Sequence, residues 1–334
     1  MSSPFNNSIR TIRITLISCI VVILLISGAL ILFINPEIIT QEIKDDRKGD
    51  ALDNLWIAPD SLSIPSGELG KQIRYGKELI THTAQYLGPK GSVLQISNGM
   101  NCQNCHLYAG TKPFGNNYGS VASLYPKFRA RSGSLEGIEK RVNDCFERSL
   151  NGMGLDSLSK EMRAMVAYIK WVGKDVPKGK KAIGSGLYDI VYLDRQCDTV
   201  KGKSLFQAKC VTCHGANGEG LKRFDGIDYV YPPLWGENSF NNGAGLFCIS
   251  NFAKYIFANM PQGATYEKPL LNQEESWDIA AYVLSMPRPE KLFVSDWPKI
   301  ETKPVDHPNG PYADKFSETQ HKYGPFKPIL ESQN

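Results

Sequence analysis

The chain has 334 residues, a formal charge of +4, 42% hydrophobic and 22% charged residues, with 30 Gly and 20 Pro. That length leaves room for two or three domains, and that apolar content excludes a disordered chain. The charge is too small to point to nucleic acid, and no basic stripe interleaved with aromatics runs along the chain. The first element is an apolar run from Ile14 to Ile34, 21 residues without a charge, about the length that crosses a hydrocarbon core as a helix. Arg10 and Arg13 precede it, whereas Glu37, Glu42, Asp45 and Asp46 follow it. The positive-inside rule therefore puts the bulk of the protein on the far side of the membrane. Residues 1–35 read as an N-terminal membrane anchor or uncleaved signal, with the remainder on the periplasmic side of the inner membrane. Cleavage at Ser27-Gly-Ala29 is the alternative and would release a periplasmic protein. Leu16-Ile-Ser-Cys19 resembles a lipobox, but Cys19 lies near the start of the apolar stretch, which suits a small buried hydrophobe.

A polar stalk, 36–65, leads to a helical pattern from Leu69 to Leu87 and then to Cys102-Gln-Asn-Cys105-His106. A Gly- and Asn-rich loop runs through Gly119, and further helices are predicted over Leu135 to Leu150 and Lys160 to Val172. Lys174 to Gly186, with Pro177 and several Gly and Lys residues, reads as a linker. The second half repeats the plan. Lys201 to Lys209 leads into Cys210-Val-Thr-Cys213-His214, a long Gly-, Pro- and aromatic-rich loop follows, and helices are predicted over Phe252 to Asn259 and Glu274 to Leu284. The two motifs start 108 residues apart, an approximate domain duplication. This divides the chain into domains at 66–180 and 181–292. Beyond them lies a Pro-, Lys- and polar-rich tail, 293–334, without periodicity, expected to wrap the surface in extended form or to be partly disordered.

Cys-x-x-Cys-His supplies two thiols for the vinyl groups of one porphyrin and an adjacent imidazole for its iron. Zinc would need a second Cys or His pair at ligand spacing, which neither half contains. A redox dithiol would call for neither the trailing His nor the duplication. The motifs therefore predict two covalently bound haem c groups, one on Cys102, Cys105 and His106, the other on Cys210, Cys213 and His214, attached outside the cytoplasm. For the sixth ligand of the second haem, the candidate is Met260 in Asn259-Met260-Pro261. In the first half, spacing leaves Met153 and Cys145 open. Cys145 shares a predicted apolar face with Leu135, Ile138, Val142, Phe146 and Ser149, as an ordinary buried cysteine also would. From Pro126 to Lys181 there are 13 Lys and Arg against 7 Asp and Glu, a surplus of +6 that suits an anion site or a solvated helical face. Cys197 and Cys248 are left as either a disulfide or two separate thiols.

The stretch Tyr125-Pro-Lys-Phe-Arg-Ala-Arg131-Ser-Gly, continuing to Arg141-Val-Asn-Asp-Cys145-Phe-Glu-Arg-Ser149-Leu-Asn151-Gly152, resembles the signature of dihaem thiosulfate dehydrogenases. The catalytic cytochrome of the periplasmic sulfur-oxidation system is related, but the complete run and the Met-Pro second motif are more similar to the dehydrogenases. The likeness spans about Leu69 to Pro289. It implies a mainly α fold, with two class I cytochrome c domains in tandem behind the N-terminal transmembrane helix. It also implies ligation of the first haem iron by His106 and Cys145 and of the second by His214 and Met260. By the same match, Arg131 and Arg141 would bind substrate, and Ser149 lies one helical turn beyond Cys145. Some family members carry a lysine before the methionine; Asn259 stands there in this chain, which argues against a lysine–methionine exchange.

The implied reaction joins two thiosulfate ions into tetrathionate. Electrons would pass from the His/Cys haem to the His/Met haem and on to a periplasmic or membrane acceptor, such as a small cytochrome c or an oxidase. The residues suit that chemistry. Arginines stay protonated and present forked donors to sulfonate oxygens while two dianions approach. Thiolate ligation lowers a haem potential and thioether ligation raises it, which directs electrons outward. Cys145, leaving the iron, would also serve as nucleophile through a transient S-sulfonate adduct. The competing assignments are surface salt bridges from the arginines to Glu136, Glu139 or Asp144, a non-catalytic dihaem carrier with Met153 and Met260 as matched ligands, a dihaem peroxidase, and the same enzyme working as a tetrathionate reductase.

Overall fold

The computed structural model describes residues 54–333, together with Ile17 and residues 20–22. Apart from those four residues, the apolar run assigned to a membrane anchor falls outside these, as do Cys19 and most of the polar stalk. Among the described residues no helix is long and apolar enough to cross a membrane.

Each half is built on a pair of crossing helices. In the first, α1 (Gly67–Thr81) packs against a later helix, Lys160–Val172, whose Ser159 N-cap accepts from the Met162 amide. Between them lie α2 (Ile138–Asp144) and a π-helical turn, Cys145–Ser149, so Lys160–Val172 is α3 in chain order. In the second, α4 (Thr199–Lys209) packs against α6 (Gln273–Ser285), and α5 (Ile249–Asn259) packs on α6. Asp198 caps α4 by accepting from Val200 and Lys201, and Asn272 and Glu275 form a capping box on α6.

Both crossings turn on a glycine. A Cβ on Gly76 would lie 2.0 Å from the Ala164 carbonyl oxygen, and one on Gly202 would lie 1.9 Å from that of Asp278. Neither backbone can give way inside a helix, so the close approach needs the missing side chain. Gly76→Ala and Gly202→Ala are expected to cost about 1–3 kcal/mol each by overpacking, whereas Gly245→Ala, with nothing within 4 Å of its added carbon, stays within about 0.5 kcal/mol. Urea unfolding of the three variants measures the difference. Equal effects at all three positions would contradict the crossing geometry.

The predicted helix from Leu135 is shorter than its periodicity suggested. Residues Lys127–Arg129 (β1) pair antiparallel with Ser134–Glu136 (β2), Phe128 opposite Leu135, around a turn at Gly133, whose φ is +63°. Leu135 is therefore a solvent-facing strand residue, and α2 starts only after Gly137. The Ser132-Gly-Ser turn and Gly137 interrupt a spacing that looked continuous. A second small ribbon, β3 (Leu221–Lys222) and β4 (Tyr229–Tyr231), lies in the second half.

Asn54 onward forms a unit of its own, in which the halves and the segments outside them are tied together. Buried Asn101 donates to buried Asp228 at 3.0 Å across the halves. Trp56 is buried and its amide donates to the Ile183 carbonyl at 3.0 Å. The 174–186 stretch is held on the first half, where the Ser123 hydroxyl donates to the Lys180 carbonyl at 2.6 Å. The C-terminal segment carries α7 (Glu318–Tyr323) and α8 (Lys327–Ser332), and Phe326 packs fully buried against Tyr192 and Trp277. Apolar anchors of this kind, absent from any periodic pattern, order the tail.

Candidate active site

The first Cys-x-x-Cys-His motif opens with a 3-10 turn, Cys102–Asn104, capped by Asn101 and Asn104. The Thr83 hydroxyl accepts from the Cys102 amide at 3.0 Å, and the Gln103 amide donates to the Thr81 carbonyl at 2.8 Å, which fixes the turn on α1 and the helical turn after it. His106 Nδ1 donates to the Asn116 carbonyl at 2.5 Å, and burial pushes the ring down to about 4. The imidazole is therefore neutral, with its Nε2 lone pair free. The second motif forms a helical turn, Val211–His214, and His214 Nδ1 donates to the Pro232 carbonyl at 2.9 Å. Burial lowers His214 as well.

Each motif borders a cavity. The first, about 880 Å³ including its solvent-open mouth, is lined by Cys102, Cys105, His106, Arg141, Cys145 and Ser149. The second, about 1650 Å³ on the same measure, is lined by Cys210, Cys213, His214, Tyr255 and Met260, and again by Cys105. Cys105 is thus common to both walls. Tyr255 reinforces that junction: its phenol, on α5 of the second half, donates to the Asn104 carbonyl of the first motif at 3.0 Å.

Cys145 begins the π-helical turn, and Arg141, one turn earlier on α2, donates from NH1 to its sulfur at 3.3 Å. That sulfur, outweighing burial, holds the Arg141 guanidinium above the ordinary arginine range. Met153 is 63% exposed and does not line the cavity. Arg131 is not on the cavity wall either. Its NH1 donates to the Gly243 carbonyl at 3.0 Å, and burial first, then the charge of Arg148, lowers its pKa. Asn259 donates from its amide to the Phe114 and Tyr255 carbonyls, each at 3.1 Å. Cys197 and Cys248 are separate buried thiols.

Known proteins resemble this chain in both halves. Residues 94–177 match the family model "SoxA/TsdA, cytochrome c domain", and residues 199–287 match "Cytochrome c". A thiosulfate dehydrogenase of Psychrobacter arcticus is 40% identical over 243 residues, covering 72% of this chain and 71% of the relative. One from Allochromatium vinosum is 38% identical over 235 residues, covering 69% of this chain and 83% of the relative. The chain belongs to the thiosulfate dehydrogenase family. A solved structure, thiosulfate dehydrogenase (TsdBA) from Marichromatium purpuratum in its as-isolated form, superposes with a TM-score of 0.66 at 29% identity. The match covers 76% of this chain, which spans about half, 52%, of that one.

As a member of the thiosulfate dehydrogenase family the chain is an oxidoreductase acting on thiosulfate, with two cytochrome c domains and two covalently bound c-type haems. The residues fit those haems. In both motifs a backbone carbonyl accepts from Nδ1 and leaves Nε2 available to donate to an iron, beside two cysteines and an apolar cavity. Residues that the sequence did not single out pack beside the Cys145 run without lining the cavity. Arg148 lies inside the run around Cys145, and Asp296 and Trp297 come from the tail. Charge alone could have marked Arg148; nothing local marked Asp296 as its partner.

Proposed function

We propose that this chain oxidises two thiosulfate ions to tetrathionate at the cavity of His106 and Cys145 and passes the electrons out through the second domain. The observation that carries it is one cavity bordered by the His106 imidazole and the Cys145 sulfur, with Arg141 donating to that sulfur at 3.3 Å. His106 and Cys145 would hold the first haem iron, and His214 and Met260 the second. The bound haems supply one-electron acceptors, so the pair takes up both electrons of a turnover.

The protein residues perform the sulfur chemistry. The Cys145 thiolate and the terminal sulfur of one thiosulfate form an S–S bond with loss of two electrons, giving a cysteine-bound thiosulfate adduct. The terminal sulfur of a second thiosulfate then attacks the sulfane sulfur of the adduct, releasing tetrathionate and regenerating the Cys145 thiolate. Arg141 offsets the charge of the thiolate and of the oxyanions brought beside it, with Arg131 as the second cation. Ser149, on the same wall, offers a hydroxyl to a sulfonate oxygen. Exposed Met153 lends no support to a carrier with two matched methionine ligands.

The shared wall at Cys105 supports onward electron movement into the second domain. The compartment where c-type haem is attached, with Arg10 and Arg13 ahead of the apolar run, supports catalysis on the periplasmic side. Purified full-length protein is expected to reduce ferricyanide when thiosulfate is added. No reduction above the rate without thiosulfate would contradict the proposal, and tetrathionate with a low-potential reductant measures the reverse direction.

A further inference from the structure

Arg288, just after α6, carries a charge that no ion pair offsets among the described residues. Its Nη2 donates to the Val283 carbonyl at 2.9 Å and its Nη1 to the Leu234 carbonyl at 3.5 Å, while its Nε is a buried donor without an acceptor. The guanidinium lies 4.4 Å from the Phe240 ring centre and 4.8 Å from that of Phe247. Burial pushes it down to about 10, which leaves it charged at neutral pH. Glu290, Asp306 and Glu318 border the same cleft, but Asp306 accepts from the Ser250 amide and hydroxyl, Glu318 accepts from Lys322, and Glu290 is exposed. Backbone hydrogen bonds fix the segment on either side: the Gly236 amide donates to the Pro287 carbonyl at 2.8 Å and the Asn242 amide to the Pro289 carbonyl at 3.2 Å. Leu234, Phe240 and Val283, which Arg288 touches, line the cavity of His214 and Met260. The charge stands directly behind that wall.

We infer that Arg288 sets the potential of the second haem: its fixed positive charge, behind the wall of Leu234, Phe240 and Val283, raises that potential. Uptake of one electron makes a haem less positive, and a nearby cation favours the less positive form. Two ring faces and two carbonyls hold the guanidinium without cancelling its charge, as a paired carboxylate would. The apolar side chains between it and the cavity screen it far less than water would. A higher potential at the second haem draws electrons away from the first. The inference therefore deepens, and in that consequence rests on, the outward electron route proposed above.

The test is a redox titration of the full-length protein with both haems attached, followed by haem absorbance, with Met260→Ala marking which wave belongs to the second haem. Arg288→Gln is expected to make reduction of the second haem about tenfold less favourable, a fall of about 59 mV, and to move the first by less than about twofold. Arg288→Lys, which keeps a cation there, recovers at least half of the shift. An unchanged or raised second potential in Arg288→Gln overturns the inference. So does an equal fall in Arg288→Lys, which would make packing the cause, or an equal fall at both haems. Should Arg288→Gln not take up both haems, Arg288→Met supplies the neutral side chain, and a second potential equal to that of Arg288→Lys overturns the inference. The titration contains no thiosulfate, so a chain that failed to oxidise thiosulfate would overturn the functional proposal while leaving this result readable.

Discussion

Cys145→Gly is expected to lower thiosulfate turnover by a factor on the order of 10³ or more while both haems stay attached. The attachment residues Cys102, Cys105, Cys210 and Cys213 are untouched by the change, and at position 145, with helical φ of −71° and ψ of −40°, glycine costs only about 0.5–1 kcal/mol of stability. What disappears is the sulfur that Arg141 faces at 3.3 Å and that lines the cavity beside His106. With it goes the bond-forming partner of the first thiosulfate. Ferricyanide reduction gives the rate, and the haem absorbance of the denatured protein gives the attachment. Substantial residual activity with full haem content would remove Cys145 from the mechanism.

The second large effect is expected at Arg141. Arg141→Met should raise the thiosulfate KM by about 10- to 100-fold, the range for a lost hydrogen bond between charged groups. Arg141→Lys keeps the charge without the fork and should fall between the wild type and Arg141→Met. A merely structural salt bridge would give a different pattern. Asp144, the nearest such partner along the helix, is already taken by Lys140 and Arg148. Cys145 is the leading influence on the Arg141 guanidinium, ahead of any carboxylate. Steady-state kinetics over a wide thiosulfate range measures the split, and an unchanged KM would assign Arg141 to stability alone.

The residues that line the first cavity were largely legible because they lie close together in sequence. Both Cys-x-x-Cys-His motifs place their ligands within one turn, and the Arg141 to Ser149 run follows helical spacing, so cavity neighbours were also chain neighbours. The exact path of that run was less legible. Periodicity carried the helix back to Leu135, where the Ser132-Gly-Ser turn had already folded the chain into a ribbon. The choice between Met153 and Cys145 also lay beyond spacing, because both fall at plausible distances from His106. Exposure separates them, and exposure depends on packing from elsewhere in the chain.

The tail was the least legible part. Asp296 meets Arg148 across 148 positions of sequence, and such pairs leave no periodic trace. Phe326 anchors α8 against Trp277 through contacts that polar composition concealed. Length and composition describe a segment's average character, whereas one buried aromatic and one bidentate carboxylate decide where it goes.

The electron count tests the central claim most directly. With purified protein, thiosulfate and ferricyanide under anaerobic conditions, the proposed coupling predicts one ferricyanide reduced per thiosulfate consumed, with tetrathionate accounting for all the sulfur. Sulfate or sulfite as the main product, or more than one electron per thiosulfate, would contradict the joining of two thiosulfate ions at Cys145.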